Sequence, residues 1–423
     1  MKKLITILFC LIIAIFMNTT YIFAAATPPQ VCEDSAVIMD AATGDILFSK
    51  NMDAAYPPAS TTKTMTALLT LERCKLDEVV IVGKNPPIIA AGTSNISLVE
   101  GEKVTVKDLL YGLIFQSGND CAETLAEHIG GTSSAFVGMM NSRAKELGCE
   151  NTNFVNPSGL YNINHKTSAK DLALIMRELA THPEFKKIST DTYYIIPPNN
   201  KYPKGHPMSN ESKIVNLKSY AIPGYEGSKT GYTTESLYSF TAVASRNGQK
   251  LIVSLVHGKK SAFYSEAQAL FDYGFNNFEL VTLYNKGDNV LNYKINDDLT
   301  IPLIAANNYY YVREKGSKEV PKYKVPQIDF KNKSIKAGDK LIYLDFTLGD
   351  KTLVPLSLTS SSDHTIKSKI MDTIKNTETN YTKLIIIMFI LVLILLLAFI
   401  VKKKGFRRKR TRRYHSKRYQ KYK

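Results

Sequence analysis

The stretch Pro57-Pro58-Ala59-Ser60-Thr61-Thr62-Lys63 runs into the apolar residues 65–69 and places a serine where a helix begins. The two prolines favour an extended approach, so we expect Ser60 in the first helical turn. Lys63 follows three residues later, which puts its amine beside the Ser60 hydroxyl on one helix face. A serine hydroxyl is a poor nucleophile until a base takes its proton, and an unprotonated lysine is such a base. The stretch therefore predicts an activated serine at a helix start.

A Ser-x-x-Lys pattern is weak by itself, because on this stretch alone a helix cap is the favoured interpretation of Ser60. The pattern also recurs at Ser142 and Lys145, in a segment that resembles an ordinary exposed helix. Two further patterns favour the catalytic interpretation, and each occurs once in the chain: Ser117-Gly118-Asn119 and Lys229-Thr230-Gly231. The first is predicted between two helices, and the second on a strand that precedes a hairpin.

Helices and strands are mixed in residues 27–276. The clearest hairpin signal is Asn247-Gly248 between two alternating runs. Further strands are predicted at residues 36–40 and 45–48, around a turn at residues 42–44. Helices are predicted from the Thr105 cap onward and at residues 121–129, 171–180 and 265–275, with a long loop at residues 196–212. Because hairpins make a sheet antiparallel, the expected fold class is α+β, an antiparallel sheet flanked by helices.

The 423 residues also contain segments outside this catalytic domain. Residues 1–26 are typical of a secretory signal peptide, with two lysines, an apolar run and small residues at the end. A small all-β domain is predicted at residues 277–358 and a polar stalk at residues 359–383. Residues 384–401 form an uninterrupted apolar run, which predicts one transmembrane helix. Three lysines follow at once and predict a cytoplasmic tail at residues 402–423, with the catalytic domain on the outer side of the cell membrane.

The formal net charge of +16 is concentrated at the ends of the chain. Residues 402–423 contain 13 Lys and Arg and no acidic residue, so the body of the protein is nearly neutral. We expect this tail to contact anionic membrane lipid, and no nucleic-acid partner is predicted. The four cysteines beyond the signal segment do not define a disulfide framework, and the sequence leaves their pairing open.

Around the three motifs, the sequence resembles the low-molecular-weight penicillin-binding proteins, which are serine D-alanyl-D-alanine carboxypeptidases. The resemblance runs from about residue 32 to residue 278 and includes residues 153–160, 168–172, 227–233 and 272–275. It implies the β-lactamase/penicillin-binding-protein-like transpeptidase fold. It also implies removal of the terminal D-alanine from peptidoglycan stem pentapeptides, with β-lactam antibiotics as covalent inhibitors. No cofactor or metal is expected.

The resemblance implies four catalytic residues. Ser60 would attack the carbonyl between the two terminal D-alanines, and Lys63 would be its base. Burial beside Lys229 would lower the pKa of Lys63, as this role requires. Ser117 would relay a proton to the leaving amine, and Asn119 would orient Lys63 and contact the substrate amide.

The resemblance also implies a substrate-binding strand. Lys229 and Thr230 would face the substrate carboxylate, and Gly231 would allow the strand to approach closely. The backbone N–H groups of Ser60 and Tyr232 would form the oxyanion hole.

Two alternative functions remain open from the sequence. A β-lactamase would need a separate carboxylate to activate water, and Glu150 is the candidate. A membrane-anchored penicillin-binding sensor without turnover would fit the spanning helix and the absence of arginine from residues 259–264. Fast hydrolysis of penicillin would indicate the β-lactamase, and release of D-alanine from a pentapeptide distinguishes a carboxypeptidase from the sensor.

Overall fold

A computed structural model of the chain describes residues 27–295, 299–328, 334–365 and 369–418. The predicted signal peptide and the last five residues of the predicted tail lie outside the described residues. Contacts divide the chain into two units. The first comprises residues up to Leu283 together with Tyr310–Pro321, and the second comprises Tyr284–Tyr309 and the residues from Lys322 onward. The domain boundary between residues 276 and 277 stays a prediction.

The helices and strands are numbered here in chain order. The helices are α1 (Lys63–Arg73), α2 (Asn85–Ile89), α3 (Val106–Phe115), α4 (Asn119–Gly130), α5 (Ser133–Glu146), α6 (Ala169–Leu179), α7 (Pro183–Thr190), α8 (Lys213–Asn216), α9 (Phe263–Asn277) and α10 (Lys369–Arg418), with 3₁₀ turns at Ala59–Thr62 and Lys218–Tyr220. The strands are β1 (Glu33–Asp40), β2 (Ile46–Lys50), β3 (Val79–Ile81), β4 (Lys103–Thr105), β5 (Tyr193–Ile196), β6 (His206–Ser209), β7 (Tyr225–Thr233), β8 (Leu237–Arg246), β9 (Gln249–Gly258), β10 (Phe278–Tyr284), β11 (Asn289–Lys294), β12 (Thr300–Ala305), β13 (Tyr309–Glu314), β14 (Lys322–Lys324), β15 (Ser334–Ile335), β16 (Lys340–Leu348), β17 (Lys351–Thr352), β18 (Leu356–Ser360) and β19 (His364–Thr365).

The first unit is built on a five-stranded antiparallel sheet with the order β2-β1-β9-β8-β7. Alternate residues of β1 face opposite sides of this sheet. Val37 and Met39 belong to a core shared with α1, α3, α4 and α6, whereas Ala36 and Ile38 belong to a core shared with α9. Helices therefore cover both faces, and the α+β prediction is confirmed.

Local signals in the sequence located several elements correctly. Asn247 and Gly248 have φ values of 51° and 82°, which suit a two-residue hairpin turn between β8 and β9. Thr105 caps α3 through a reciprocal capping box with Asp108. The prediction of a loop over residues 196–212 was wrong, because β6 within it pairs with β5. This two-stranded ribbon includes Pro207, a residue that usually argues against a strand.

The second unit contains a six-stranded antiparallel sheet with the order β11-β12-β18-β16-β14, in which β17 also pairs with β16. Its buried side chains include Leu303, Phe346 and Leu358. The all-β prediction is therefore confirmed for this sheet. Strand β13, predicted within the same module, instead pairs with β10 in a separate two-stranded sheet.

A long helix, α10, follows this sheet and includes most of the predicted stalk. Its segment Thr377–Lys404 is long and apolar enough to cross a membrane, and none of it is buried in the protein. The predicted transmembrane residues 384–401 lie within this segment.

Candidate active site

The turn that carries Ser60 is a 3₁₀ helix, Ala59–Thr62, which continues directly into α1 at Lys63. Ala59 has a φ of 50°, a left-handed conformation that is uncommon outside glycine. Its carbonyl accepts a hydrogen bond of 2.8 Å from the Thr62 hydroxyl. The predicted helix start at Ser60 is confirmed, and the chain reaches it through a sharp turn.

Lys63 is completely buried and its Nζ has three polar neighbours. Nζ lies 2.9 Å from Ser60 Oγ, 2.7 Å from Asn119 Oδ1 and 2.7 Å from the Ser158 carbonyl oxygen. Burial, and then the nearby charge of Lys229, hold the pKa of Lys63 well below its usual value. A neutral amine donates two protons, which the two carbonyl-type oxygens accept, and its lone pair is then available to the Ser60 hydroxyl.

The second motif lies between α3 and α4. Asn119 is the first residue of α4, and its Nδ2 donates to Thr93 Oγ1 at 2.8 Å, which directs its Oδ1 to Lys63. Ser117 has a φ of 54°. Its Oγ is buried without a hydrogen-bond partner in the part of the chain that the structure describes. This hydroxyl is free to bond a substrate group.

The third motif lies on β7, one of the two edge strands of the central sheet. A Cβ atom on Gly231 would lie 2.7 Å from the Pro58 carbonyl oxygen and 2.9 Å from the Ser60 nitrogen, so only glycine lets β7 approach this turn. Lys229 is 3% exposed, and burial lowers its pKa to about 8. Tyr232 is about half exposed and stacks on Tyr238 with ring centroids 4.4 Å apart.

A cavity of about 110 Å³ joins the second and third motifs. Ser117, Lys229 and Thr230 line it together with Glu211 and Tyr264. An ammonium group beside several hydroxyl groups suits a carboxylate ligand. Lys259 and Lys260, the sequence candidates for a missing arginine, are exposed.

Several groups at the site escaped the sequence analysis. The Ser158 carbonyl and Thr93 position Lys63 and Asn119, as described above. His165 lies beneath the Ser60 turn: its Nδ1 accepts from the Val155 N–H at 3.2 Å, so its Nε2 donates to Thr62 Oγ1 at 2.9 Å. Burial, and then Lys63, lower the pKa of His165 to about 4, which keeps it neutral. A carbonyl group and a lone histidine have no distinctive sequence pattern.

Gly159 supports the turn from the other side, and its replacement gives the first prediction. Its φ is 86°, and a Cβ atom there would lie 1.9 Å from the Ala59 carbonyl oxygen. Gly159→Ala should therefore destabilise the protein by about 2 kcal/mol or more and displace Ser60. Thermal unfolding and the rate of penicillin labelling measure the two effects.

Gly138→Ala in α5 is the matched control, because nothing lies within 4 Å of its Cβ position. This change should stabilise the helix by about 0.5–1 kcal/mol. Equal thermal stability of the two variants would show that Gly159 does not support the turn.

Glu150, the carboxylate that a β-lactamase would need, lies on the surface. Its side chain is 76% exposed and its Oε2 lies 3.9 Å from Lys170 Nζ. The structure thus gives Glu150 no role beside Ser60.

Two family models match the chain. One, described as D-alanyl-D-alanine carboxypeptidase, matches residues 22–260. The other, the C-terminal domain of penicillin-binding protein 5, matches residues 278–365.

Curated proteins and solved structures give the same result. D-alanyl-D-alanine carboxypeptidase DacF of Bacillus subtilis is 35% identical over 62% of this chain and 67% of its own length. DacD of Escherichia coli is 32% identical over 72% of this chain and 77% of its own length. The crystal structure of penicillin-binding protein 5 from Haemophilus influenzae superposes with a TM-score of 0.69 at 28% identity, over 80% of this chain and 99% of that one. The chain belongs to the peptidase S11 family of serine D-alanyl-D-alanine carboxypeptidases.

Proposed function

We propose that this carboxypeptidase removes the terminal D-alanine of peptidoglycan stem pentapeptides through an acyl ester on Ser60, and that β-lactams acylate the same oxygen. The observation that carries the proposal is the position of the buried Lys63 amine, 2.9 Å from Ser60 Oγ. A base with a lowered pKa, within hydrogen-bond distance of a hydroxyl, is the arrangement that nucleophilic catalysis requires.

In the acylation step, Lys63 takes the Ser60 proton as Oγ bonds to the carbonyl carbon between the two D-alanines. The backbone N–H groups of Ser60 and Tyr232 stabilise the resulting oxyanion, and each such donor contributes about 10²–10³ in rate. The C–N bond then breaks, and Ser117 relays to the leaving amine the proton that Lys63 took from Ser60. Free D-alanine departs and the rest of the peptide stays on Ser60. Water then hydrolyses this ester and releases the shortened peptide.

The substrate carboxylate binds at Lys229 and Thr230. The supporting observations are the buried ammonium group and the cavity beside it. Gly231 keeps the strand close enough for the substrate to reach both this cation and Ser60.

Binding at Lys229 predicts a pH dependence. Its amine must be protonated to hold a carboxylate, and its pKa is lowered to about 8 by burial. We expect kcat/KM to fall as the pH rises through about 8. In Lys229→Arg the guanidinium stays charged, so this alkaline fall should disappear even if the absolute rate is lower. An unchanged alkaline limb in the variant would assign the titration to another group.

The activity is tested with a synthetic stem pentapeptide and the detergent-solubilised full chain. The terminal alanine should be released from the pentapeptide that ends in D-alanine and not from a matched pentapeptide that ends in L-alanine. A stable penicillin adduct without D-alanine release would instead indicate a sensor. Rapid hydrolysis of penicillin would indicate a β-lactamase.

We further propose that α10 anchors the protein in the cell membrane as a single span, with the signal peptide directing the catalytic unit to the cell-wall side. The apolar segment Thr377–Lys404 and the basic residues after it support this orientation. The cytoplasmic tail then rests near anionic lipid. A protease added to intact cells should digest the catalytic unit and leave the tail protected; a digested tail would reverse the orientation.

A further inference from the structure

A second cluster of chemically reactive side chains lies where β1 meets α9. Cys32 immediately precedes β1, Glu33 is the first residue of β1, and Glu266 lies in the first turn of α9. The Cys32 Sγ atom and one carboxylate oxygen from each glutamate all lie within 4.8 Å of one another. These residues have no part in the mechanism proposed above.

The backbone around this cluster is held in place. Glu266 Oε1 accepts from the Cys32 N–H at 3.1 Å. Lys50 Nζ donates to the carbonyls of Val31 and Glu33 at 3.0 and 2.6 Å. The three candidate ligands therefore converge on a scaffold that is already ordered.

Glu33 is the unusual member of the cluster, because it is completely buried. Both of its carboxylate oxygens, and Oε2 of Glu266, accept no hydrogen bond from an N–H or hydroxyl donor among the residues that the structure describes, and the two carboxyl groups lie next to each other. A buried carboxylate without a donor is costly, and such groups normally neutralise, pair or bind a metal. The Glu33 side chain fits here because residue 258 is glycine: a Cβ atom on Gly258 would lie 2.9 Å from Glu33 Cγ.

We propose that Cys32, Glu33 and Glu266 bind one Zn²⁺ ion that ties the start of the central sheet to α9. Zinc accepts thiolate and carboxylate ligands together, with bonds of about 2.3 Å to sulfur and about 2.0–2.2 Å to oxygen. The partly exposed Cys32 and Glu266 leave an entry path and a position for a water ligand. The ion satisfies one buried oxygen of Glu33, and the three protein ligands with one water complete a four-coordinate site.

A proton shared between the two carboxyl groups is the alternative occupant. Burial, and then the carboxyl group of Glu266, raise the pKa of Glu33 to about 8. A shared proton neutralises one carboxylate and does not involve the Cys32 thiol, whereas Zn²⁺ binds the thiolate and both carboxylates. The two occupants respond differently to Glu33→Gln, since an amide replaces a protonated carboxyl group well but is a poor zinc ligand.

The test is Zn²⁺ binding by the chelator-treated, detergent-solubilised full chain. Cys74, Glu78 and His128 form another group whose ligand atoms lie within 4.8 Å, so every protein carries Cys74→Ala and His128→Ala. Calorimetry should show one Zn²⁺ per chain, and Co²⁺ should give a near-ultraviolet thiolate band. Cys32→Ser should abolish the band and weaken Zn²⁺ binding by more than about 100-fold. Glu150→Gln, which changes an exposed carboxylate, should alter neither result.

Thermal unfolding of the same proteins separates the two occupants. Zn²⁺ should raise the unfolding midpoint of the parent protein and leave that of Glu33→Gln unchanged. The proposal is overturned if Zn²⁺ affects neither midpoint, or if Cys32→Ser binds Zn²⁺ as tightly as the parent. Retained penicillin labelling shows that each variant is folded.

Discussion

Ser60→Ala is expected to lower kcat for D-alanine release by about 10⁶-fold, the loss typical when a serine peptidase loses its nucleophile. The change removes only the oxygen that accepts the acyl group. Lys63 keeps its contacts with Asn119 and the Ser158 carbonyl, so the fold should be retained. Release of D-alanine from the pentapeptide, measured beside thermal unfolding of the same preparation, tests both expectations.

Ser142→Ala is the matched control for this experiment. Ser142 begins the other Ser-x-x-Lys pattern in the chain, in α5, and its side chain is exposed. Its replacement should leave kcat unchanged. If the two variants had similar activities, the reaction would not depend on Ser60.

Lys63→Met is expected to lower the acylation rate by about 10²–10⁴-fold, the contribution typical of a general base. Methionine fills a similar volume without an amine, so the packing around α1 should survive.

The free energy of unfolding of Lys63→Met should also depend less on pH than that of the wild-type protein. The lowered pKa of Lys63 means that the unfolded chain binds an additional proton, which makes the wild-type protein more stable as the pH rises toward about 10.5.

The pH dependence of the wild-type acylation rate also reports on Lys63 as the base. Lys63 acts only when neutral, so acylation should decline as the pH falls through its lowered pKa. Stopped-flow acylation by a chromogenic β-lactam measures this acidic limb. Lys63→Met should be slow at every pH, with no acidic limb. Near-normal acylation by this variant would exclude Lys63 as the base.

The sequence predicts the parts of this site that depend on local geometry. Ser60 and Lys63 are three residues apart on a helix start, so helical spacing alone predicts their contact. The capping box at Thr105 and the turn at Asn247-Gly248 are equally local. The contact between Lys63 and Asn119, which are 56 residues apart, depends on how α1 and α4 pack, and only resemblance to a family predicted it.

The other groups at the site could not be predicted from the sequence, for physical reasons. The Ser158 oxygen that accepts from Lys63 belongs to the backbone, so its role does not depend on the side chain at that position. His165 acts through Thr62 from a distant segment of the chain. The Glu33 carboxylate is buried against Gly258, a residue far away in the sequence. Only the tertiary structure shows this burial.

The central claim is that the Ser60 hydroxyl, activated by Lys63, forms the covalent bond to substrate and inhibitor. The most direct measurement is mass spectrometry of the penicillin-labelled wild-type chain after proteolysis. We predict a single penicilloyl group, on the peptide that contains Ser60, with fragment ions that place it on the Ser60 side chain. A penicilloyl group on any other residue, Ser117 included, would contradict the account.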